Sequence, residues 1–197
     1  DRLELLEGKI SQITKEKFSL YMQLGDSASA FAELQSLCDE YPADLSYKID
    51  MGYCYQQLER WTEAVVCYEK ADLLEANDVW TLKRKALCYR RLNRYDDAAE
   101  CYSAILKLKD DDVVTMINLA NYYLYKSDFA QARYVFYKVE YLKPNNYKAM
   151  SGLAWCLFLE GDYEKAMTYY DKLSQHEDFS VDDALNGGHT FWALGAK

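Results

Sequence analysis

The sequence predicts an all-α protein built as a solenoid of antiparallel helix pairs, and three observations carry this prediction. The 197 residues include only 8 glycines and 2 prolines, too few turn-forming residues for an all-β fold. Apolar residues follow helical spacing over most of the chain. A small residue also recurs every 34 positions without a slip, at Ala30, Ala64, Ala98, Ala132 and Ala166.

The 34-residue period divides the chain into five repeats with a segment on either side. Residues 1–10 are predicted to be an N-terminal helical extension, and residues 181–197 the first helix of a truncated sixth repeat. The repeats span residues 11–44, 45–78, 79–112, 113–146 and 147–180. Helical spacing in the fourth repeat is shown by Met116, Leu119, Ala120 and Tyr123, and a second apolar stripe follows from Phe129. Each repeat is therefore predicted to be a hairpin of two amphipathic helices.

Breaker segments and small side chains indicate how each hairpin closes. Lys126-Ser127-Asp128 and Glu160-Gly161-Asp162 separate the two helices of their repeats, and Ser or Asp there can cap the second helix. A second column of small residues lies on the first helices and lets the paired backbones approach each other. It consists of Gly52, Ala86, Ala120 and Ala154. Columns of Tyr and Phe fill the space beside these small residues.

These columns resemble the signature of the tetratricopeptide repeat family over residues 11–197. The fifth repeat carries the signature as Leu153-Ala154, Gly161-Asp162-Tyr163, Ala166, Tyr170 and Leu173. The second carries it as Met51-Gly52, Tyr55, Trp61, Ala64, Tyr68 and Ala71. The resemblance implies a right-handed superhelical solenoid whose first helices line a concave groove. It also implies that the chain binds a partner peptide or helix in that groove.

The net charge and the cysteines further limit the classes of protein to which the chain can belong. A formal net charge of −9 argues against a general nucleic-acid binder, which needs a surplus of cations facing phosphates. No run approaches the length of a membrane span, so membrane insertion is not expected. The six cysteines form no CxxC pair and have no histidine at metal-ligand spacing. Free buried thiols and a reducing, cytoplasmic compartment are expected, although an even count also permits disulfides.

Catalysis is not expected, and neither is a cofactor or a metal. The chain has two histidines, His176 in a predicted turn and His189 on the last helix, and neither belongs to a catalytic motif. Gly188 falls in the column of small residues, so helix packing accounts for it. The paired acids at helix starts and turns are interpreted as caps and solvated surface, including Asp110-Asp111-Asp112 and Asp182-Asp183.

Counting along each repeat, the resemblance places twelve candidate peptide-binding residues in the groove. They are Tyr53, Lys83, Arg84, Leu87, Arg90, Asn118, Asn121, Tyr125, Lys148, Trp155, Phe158 and His189. From Lys83 to Arg94 there are six cations and no acid. We therefore expect a protein or peptide partner with an acidic side chain or C-terminal carboxylate, with Trp155 and Phe158 as apolar anchors. The alternative is a solvated helix face in which Arg84 pairs with Asp50.

Two other functions fit the same residues. Some family members clamp the carboxylate of heat-shock chaperone tails with five groove residues. Lys83, Asn118 and Lys148 match that pattern, whereas Leu87 and Gly152 replace the required Asn and Arg. A structural scaffold is the other alternative, in which the exposed ends of the array, including Phe191 and Trp192, contact a larger assembly or form a homo-oligomer.

Overall fold

The computed structural model describes residues 2–41, 44–74 and 78–195, and side chains within them from residue 12 onwards except at 45 and 74. Residues 1, 42–43, 75–77 and 196–197, which the predicted extension, repeats and last helix include, lie outside the described residues. Within the described ranges the chain forms eleven α-helices and no strand. The helices are α1 (Arg2–Gln23), α2 (Ser27–Glu40), α3 (Leu45–Gln57), α4 (Trp61–Leu74), α5 (Val79–Arg91), α6 (Tyr95–Leu108), α7 (Val113–Tyr125), α8 (Phe129–Leu142), α9 (Tyr147–Leu159), α10 (Tyr163–Leu173) and α11 (Val181–Gly195).

The helices belong to two compact units, residues 1–104 and residues 105–197, with the boundary inside α6. In the first unit, consecutive helices from α1 to α5 pack against one another. In the second unit, α7 to α11 do the same. Alternate helices also touch within a unit, since α3 contacts α5, α7 contacts α9 and α9 contacts α11. The prediction of an all-helical fold built from consecutive helix pairs is confirmed.

Capping side chains start the helices as the breaker segments predict. The carboxylate of Asp128 accepts a hydrogen bond from the backbone N–H of Gln131, and that of Asp162 accepts one from Lys165. The same role falls to Asp26, Asp44, Asp78, Asp112 and Asn146 at the starts of α2, α3, α5, α7 and α9. The side-chain hydrogen bond from Lys165 lowers the pKa of Asp162, because it stabilises the charged carboxylate.

Left-handed residues end the first helices at the same point of each hairpin. The positive φ angles are 74° at Gly25, 57° at Glu59, 58° at Asn93, 59° at Ser127 and 83° at Gly161. In each hairpin the following N–H donates back to a carbonyl of the first helix, as from Arg60 to Tyr55 at 2.8 Å. This turn reverses the chain and sets the second helix against the first.

The alanine column forms the contact line of each hairpin. All five alanines are buried, with at most 2% of their surface exposed. Gly52 and Gly152 allow neighbouring helices to approach each other even more closely. A Cβ atom at Gly52 would lie 2.7 Å from the ring of Tyr68, and one at Gly152 would lie 2.3 Å from the ring of Phe136. Buried aromatic rings therefore occupy the volume that larger side chains would need.

Candidate functional site

All twelve candidate residues lie on first helices, α3 and α5 in the first unit and α7, α9 and α11 in the second. The first unit holds Tyr53, Lys83, Arg84, Leu87 and Arg90. The second unit holds Asn118, Asn121, Tyr125, Lys148, Trp155, Phe158 and His189. Each unit therefore has its own candidate surface.

In the first unit, aromatic rings surround the guanidinium of Arg84. Its central carbon lies 5.2 Å from the centroid of the Tyr53 ring and 4.9 Å from that of Trp80. These cation–π contacts take the place of the ion pair with Asp50 that the sequence left open. Burial raises the pKa of Asp50, and Lys15 is the cation that counteracts this effect. The contacts of Arg84 thus connect α5 to α3 through aromatic side chains.

Most of the other cations near Arg84 have partners within the first unit. Lys85 forms an ion pair with Asp72, and Arg94 forms one with Asp97 at 2.7 Å. Arg91 lies over the Trp61 ring at 5.5 Å, and Arg90 donates a hydrogen bond to Tyr102. Lys83 also interacts with another group of the protein. The six cations therefore do not act as one free basic surface.

In the second unit, α7, α9 and α11 enclose a depression of about 360 Å³. Its lining consists of Ile117, Asn121, Leu124, Tyr147, Lys148, Ser151, Gly152, Trp155, Ser180, Asp182, Asp183 and Asn186. Three of the candidates, Asn121, Lys148 and Trp155, are brought together here. The volume falls within the range of about 300–1,000 Å³ that is usual for ligand sites. The mixture of apolar walls and amide, hydroxyl and charged groups suits a peptide segment.

Phe158 supports this depression from outside it. Its ring stacks on that of Trp155, with centroids 5.3 Å apart and an interplanar angle of 17°. The Phe158 ring also contacts Tyr163 of α10 at 5.5 Å. The ring of Trp155 is therefore held in position by contacts within the helix pair α9–α10.

The other candidates of the second unit lie elsewhere on the first helices. Asn118 and Lys148 line a neighbouring depression of about 700 Å³, beside the turn at residues 143–146 and next to His176. Tyr125 and His189 are exposed and are not among the described residues that line either depression. Of the seven candidates in the second unit, Asn121, Lys148 and Trp155 thus line the first depression and Phe158 supports it. The others, Asn118, Tyr125 and His189, do not line it.

The depression contains a hydrogen-bonded carboxylate that the sequence interpretation missed. Asp183 is only 5% exposed, and its oxygens accept hydrogen bonds from the hydroxyls of Tyr147, Ser151 and Ser180. The Ser151 and Ser180 bonds measure 2.7 and 2.8 Å. The interpretation of Asp182-Asp183 as solvated surface is therefore wrong for Asp183. The neighbouring Asp182 is exposed, as expected.

At one position, Gly152, the chain departs from the set of residues that clamps chaperone tails. That clamp requires an arginine where this chain has Gly152, and three atoms of the Phe136 ring lie 2.3–2.7 Å from the place of its Cβ. Phe136 is 1% exposed and packs in the core, so it has no free space to move into. An arginine at this position would require rearrangement of the core of α8 and α9.

The last helix departs from the expected packing at Gly188. The column of small residues predicts a close helix contact there, but no atom lies within 4 Å of the place of its Cβ. The buried residues of α11 are instead Asp183, Gly187 and Thr190, which face α10 and α9. The prediction for Gly188 fails because none of the described helices packs against that face of α11. Phe191 and Trp192 are accordingly 70% and 73% exposed.

The cysteines of the described part of the chain are free, and its possible metal ligands are not clustered. Within it, no cluster of three or more His, Cys, Asp or Glu side chains could hold a metal ion. The cysteines there are free thiols, and burial raises the pKa of Cys54, Cys88 and Cys156 to about 12. Across the same described residues, every helix is too short or too polar to cross a bilayer.

Consecutive helix pairs that follow a 34-residue sequence repeat define a helical-repeat protein. Two family models described as tetratricopeptide repeat match the sequence, one at residues 123–184 and the other at residues 45–78 and 84–112. The chain belongs to the tetratricopeptide repeat family. This membership supports a role as a protein-interaction module or scaffold, and repeats of this family are typically non-catalytic.

Solved structures with the same fold come from several bacteria. A tetratricopeptide repeat protein from Parabacteroides merdae has a TM-score of 0.83 at 17% identity, covering 95% of this chain and 74% of its own. MamA from Desulfovibrio magneticus RS-1 has a TM-score of 0.74 at 17% identity, covering 83% and 92%. Pseudomonas aeruginosa pilF has a TM-score of 0.71 at 19% identity, covering 95% and 86%. No curated protein sequence matches the chain. These identities show a shared fold alone.

Proposed function

We propose that the chain is a non-catalytic module that binds a segment of another polypeptide on the face of its first helices. In residues 105–197 the segment occupies the depression between α7, α9 and α11. The observation that carries this proposal is the depression itself, a concave surface where the indole of Trp155 adjoins the Asn121 amide and the Lys148 ammonium. An aromatic anchor beside amide and charged groups is a typical arrangement for peptide recognition.

The contacts of this surface favour an extended or helical segment over a small metabolite. The depression shares Ile117, Tyr147 and Lys148 with the larger one beside Asn118. A ligand that follows the first helices can therefore place successive side chains in the two depressions. The amide groups of Asn121 and Asn186 offer donors and acceptors for a peptide backbone.

Selection of peptides from a random displayed library tests this proposal. We expect enriched peptides whose affinity falls about thirtyfold in Trp155→Ala, because loss of a central aromatic anchor costs about 2 kcal/mol. Asn121→Ala provides a second variant that leaves the ring stack intact, and it should weaken binding as well. Tyr141→Ala is the matched control, since Tyr141 is an aromatic residue on α8 with 85% exposure and does not line the depression.

Circular dichroism of each variant establishes that it folds before its affinity is compared. Enriched peptides that bind Trp155→Ala and Asn121→Ala as tightly as the original protein would place their site elsewhere. A library that yields no peptide above background would count against peptide capture altogether. Either result contradicts the proposed occupancy of the depression.

A second candidate function is that of a structural scaffold, and the exposed rings of α11 favour it. Phe191 and Trp192 are adjacent and mostly exposed, and Leu185 on the same helix is 59% exposed. Apolar patches of this kind often form protein contacts. Light scattering coupled to gel filtration tests self-association. A larger species that disappears in the double variant Phe191→Ser, Trp192→Ser supports the scaffold role, whereas a monomer at all concentrations opposes self-assembly through α11.

A further inference from the structure

The first unit contains a guanidinium that is oriented by aromatic rings and forms no ion pair with a carboxylate of the described residues. Arg84 of α5 lies over the rings of Tyr53 and Trp80 at 5.2 and 4.9 Å. Contacts of this kind hold the flat guanidinium against aromatic faces and leave N–H groups at its edges to donate hydrogen bonds. The position of the group is therefore set before any ligand binds.

The ring of Trp80 is itself held by the core of the first unit. Its edge meets the Tyr68 ring with centroids 6.4 Å apart and an interplanar angle of 78°. Tyr68 is fully buried, and its hydroxyl donates a hydrogen bond of 2.7 Å to Oε1 of Gln56. Trp80 is 42% exposed, and Arg84 itself is partly exposed, so solvent can reach the guanidinium.

The positive charge of Arg84 lies against aromatic rings instead of against a carboxylate of the described residues. Among the residues that the structure describes, no carboxylate forms an ion pair with it, whereas Lys85 and Arg94 have Asp72 and Asp97. A partly buried cation without a counter-ion has lost some hydration without gaining an ion pair. The arrangement is consequently suited to an anion supplied from outside the chain.

We infer that Arg84 is the binding site for the side-chain carboxylate of an Asp or Glu residue in the partner polypeptide. This inference rests on the proposed function in one respect, that the ligand is a polypeptide. A carboxylate fits better than a phosphate, because one guanidinium matches one negative charge with two parallel hydrogen bonds. A phosphate dianion would need a second cation, and the neighbouring Lys83 and Arg90 already take part in other interactions.

The aromatic rings also explain why arginine is needed at this position. They shield the faces of the guanidinium from water, which strengthens a hydrogen bond formed at its edge. A lysine would keep the charge, but its ammonium is not planar and cannot form the paired hydrogen bonds. The binding site therefore depends on the shape of the cation as well as on its charge.

Titration with two blocked tripeptides tests the inference directly. Acetyl-Ala-Glu-Ala-amide offers one side-chain carboxylate and no terminal one, and acetyl-Ala-Gln-Ala-amide is the uncharged match. Nuclear magnetic resonance follows the Nε–H signal of Arg84 and, as an internal control, that of Arg94, which also lies over a tyrosine ring but is paired with Asp97. We expect a saturable shift at Arg84 with the Glu peptide only.

Two charge-conserving variants complete the experiment. Arg84→Lys should weaken binding of the Glu peptide about tenfold, measured at the Trp80 indole N–H, because the paired hydrogen bonds are lost. Arg94→Lys should leave it unchanged, because that residue already has an internal partner. Equal loss in both variants would show general electrostatic attraction and overturn the inference, as would an Arg84 signal that fails to shift.

The remaining outcomes separate this inference from the proposed function. Inorganic phosphate that saturates Arg84 when the Glu peptide does not would overturn the carboxylate assignment in favour of a phosphorylated residue. The titration is read within residues 1–104, so it is independent of whether library peptides occupy the depression of α7, α9 and α11. An Arg84 signal that the Glu peptide does not shift, together with selected peptides that occupy the depression and bind normally to Arg84→Lys, would contradict the inference and leave the proposed function standing.

Discussion

The substitution Gly152→Ala tests whether close packing of a ring against α9 shapes the second unit. A Cβ atom at this position would lie 2.3, 2.5 and 2.7 Å from three carbons of the Phe136 ring. Phe136 is 1% exposed and belongs to a core cluster that includes Val139 and Leu153. The ring therefore cannot turn aside without displacing its neighbours.

Two opposing effects decide the magnitude. Replacing glycine by alanine inside a helix gains about 1 kcal/mol of helix propensity. Overpacking a rigid core costs about 1–3 kcal/mol, and an overlap with three ring atoms belongs at the upper end of that range. We expect Gly152→Ala to lower the free energy of unfolding by about 1–2 kcal/mol.

Gly188→Ala is the matched control, because it makes the same chemical change inside α11, where no atom lies within 4 Å of the place of its Cβ. Only the propensity gain remains there, so this variant should be more stable than the original protein by about 0.5–1 kcal/mol. Urea unfolding followed by far-ultraviolet circular dichroism measures both. A Gly152→Ala variant as stable as Gly188→Ala would refute the packing argument.

Three further predictions concern buried and capping groups. Asp183→Ala should lower the free energy of unfolding by about 2–3 kcal/mol in urea titrations, because three hydroxyl groups lose their acceptor, whereas Asp182→Ala at an exposed site should change it little. Cys54 and Cys156, whose pKa values burial raises to about 12, should resist alkylation at about pH 8 until urea unfolds the chain, as read by mass spectrometry of the labelled peptides. The pKa of Asp162 is lowered from its usual value of 3.8, so the ionised carboxylate stabilises the fold at pH values above 3.8. This stabilisation is lost as the pH falls through the folded pKa. Asp162→Asn should therefore reduce the fall of the urea midpoint in acid.

The helix pairs could be predicted from sequence because each depends on contacts at fixed offsets along the chain. Ala64 and Ala132 illustrate this, since both are fully buried where the 34-residue column places them. Capping by Asp128 and Asp162 was equally predictable, because a capping side chain acts within three residues of its own position. Local and repeated interactions leave a regular trace in the sequence.

The site could be predicted only in part, because its interactions join residues far apart in the chain. The carboxylate of Asp183 accepts hydrogen bonds from Tyr147 and Ser151, which lie 36 and 32 residues earlier, and no short motif connects them. The column that predicted a packed Gly188 was misleading, since it presupposes a second helix beside α11. The basic run around Arg84 was visible in the sequence, but the internal partners of Lys85 and Arg94 were not.

We propose that a partner polypeptide lies on the first helices of the second unit. The most direct measurement is the indole N–H signal of Trp155 in a nuclear magnetic resonance titration with a library-selected peptide. Occupation of the depression predicts a saturable shift of this signal at the peptide concentrations that saturate binding. A Trp155 signal that stays fixed while the peptide binds, with the shifts confined to α8 and α10, would contradict the claim.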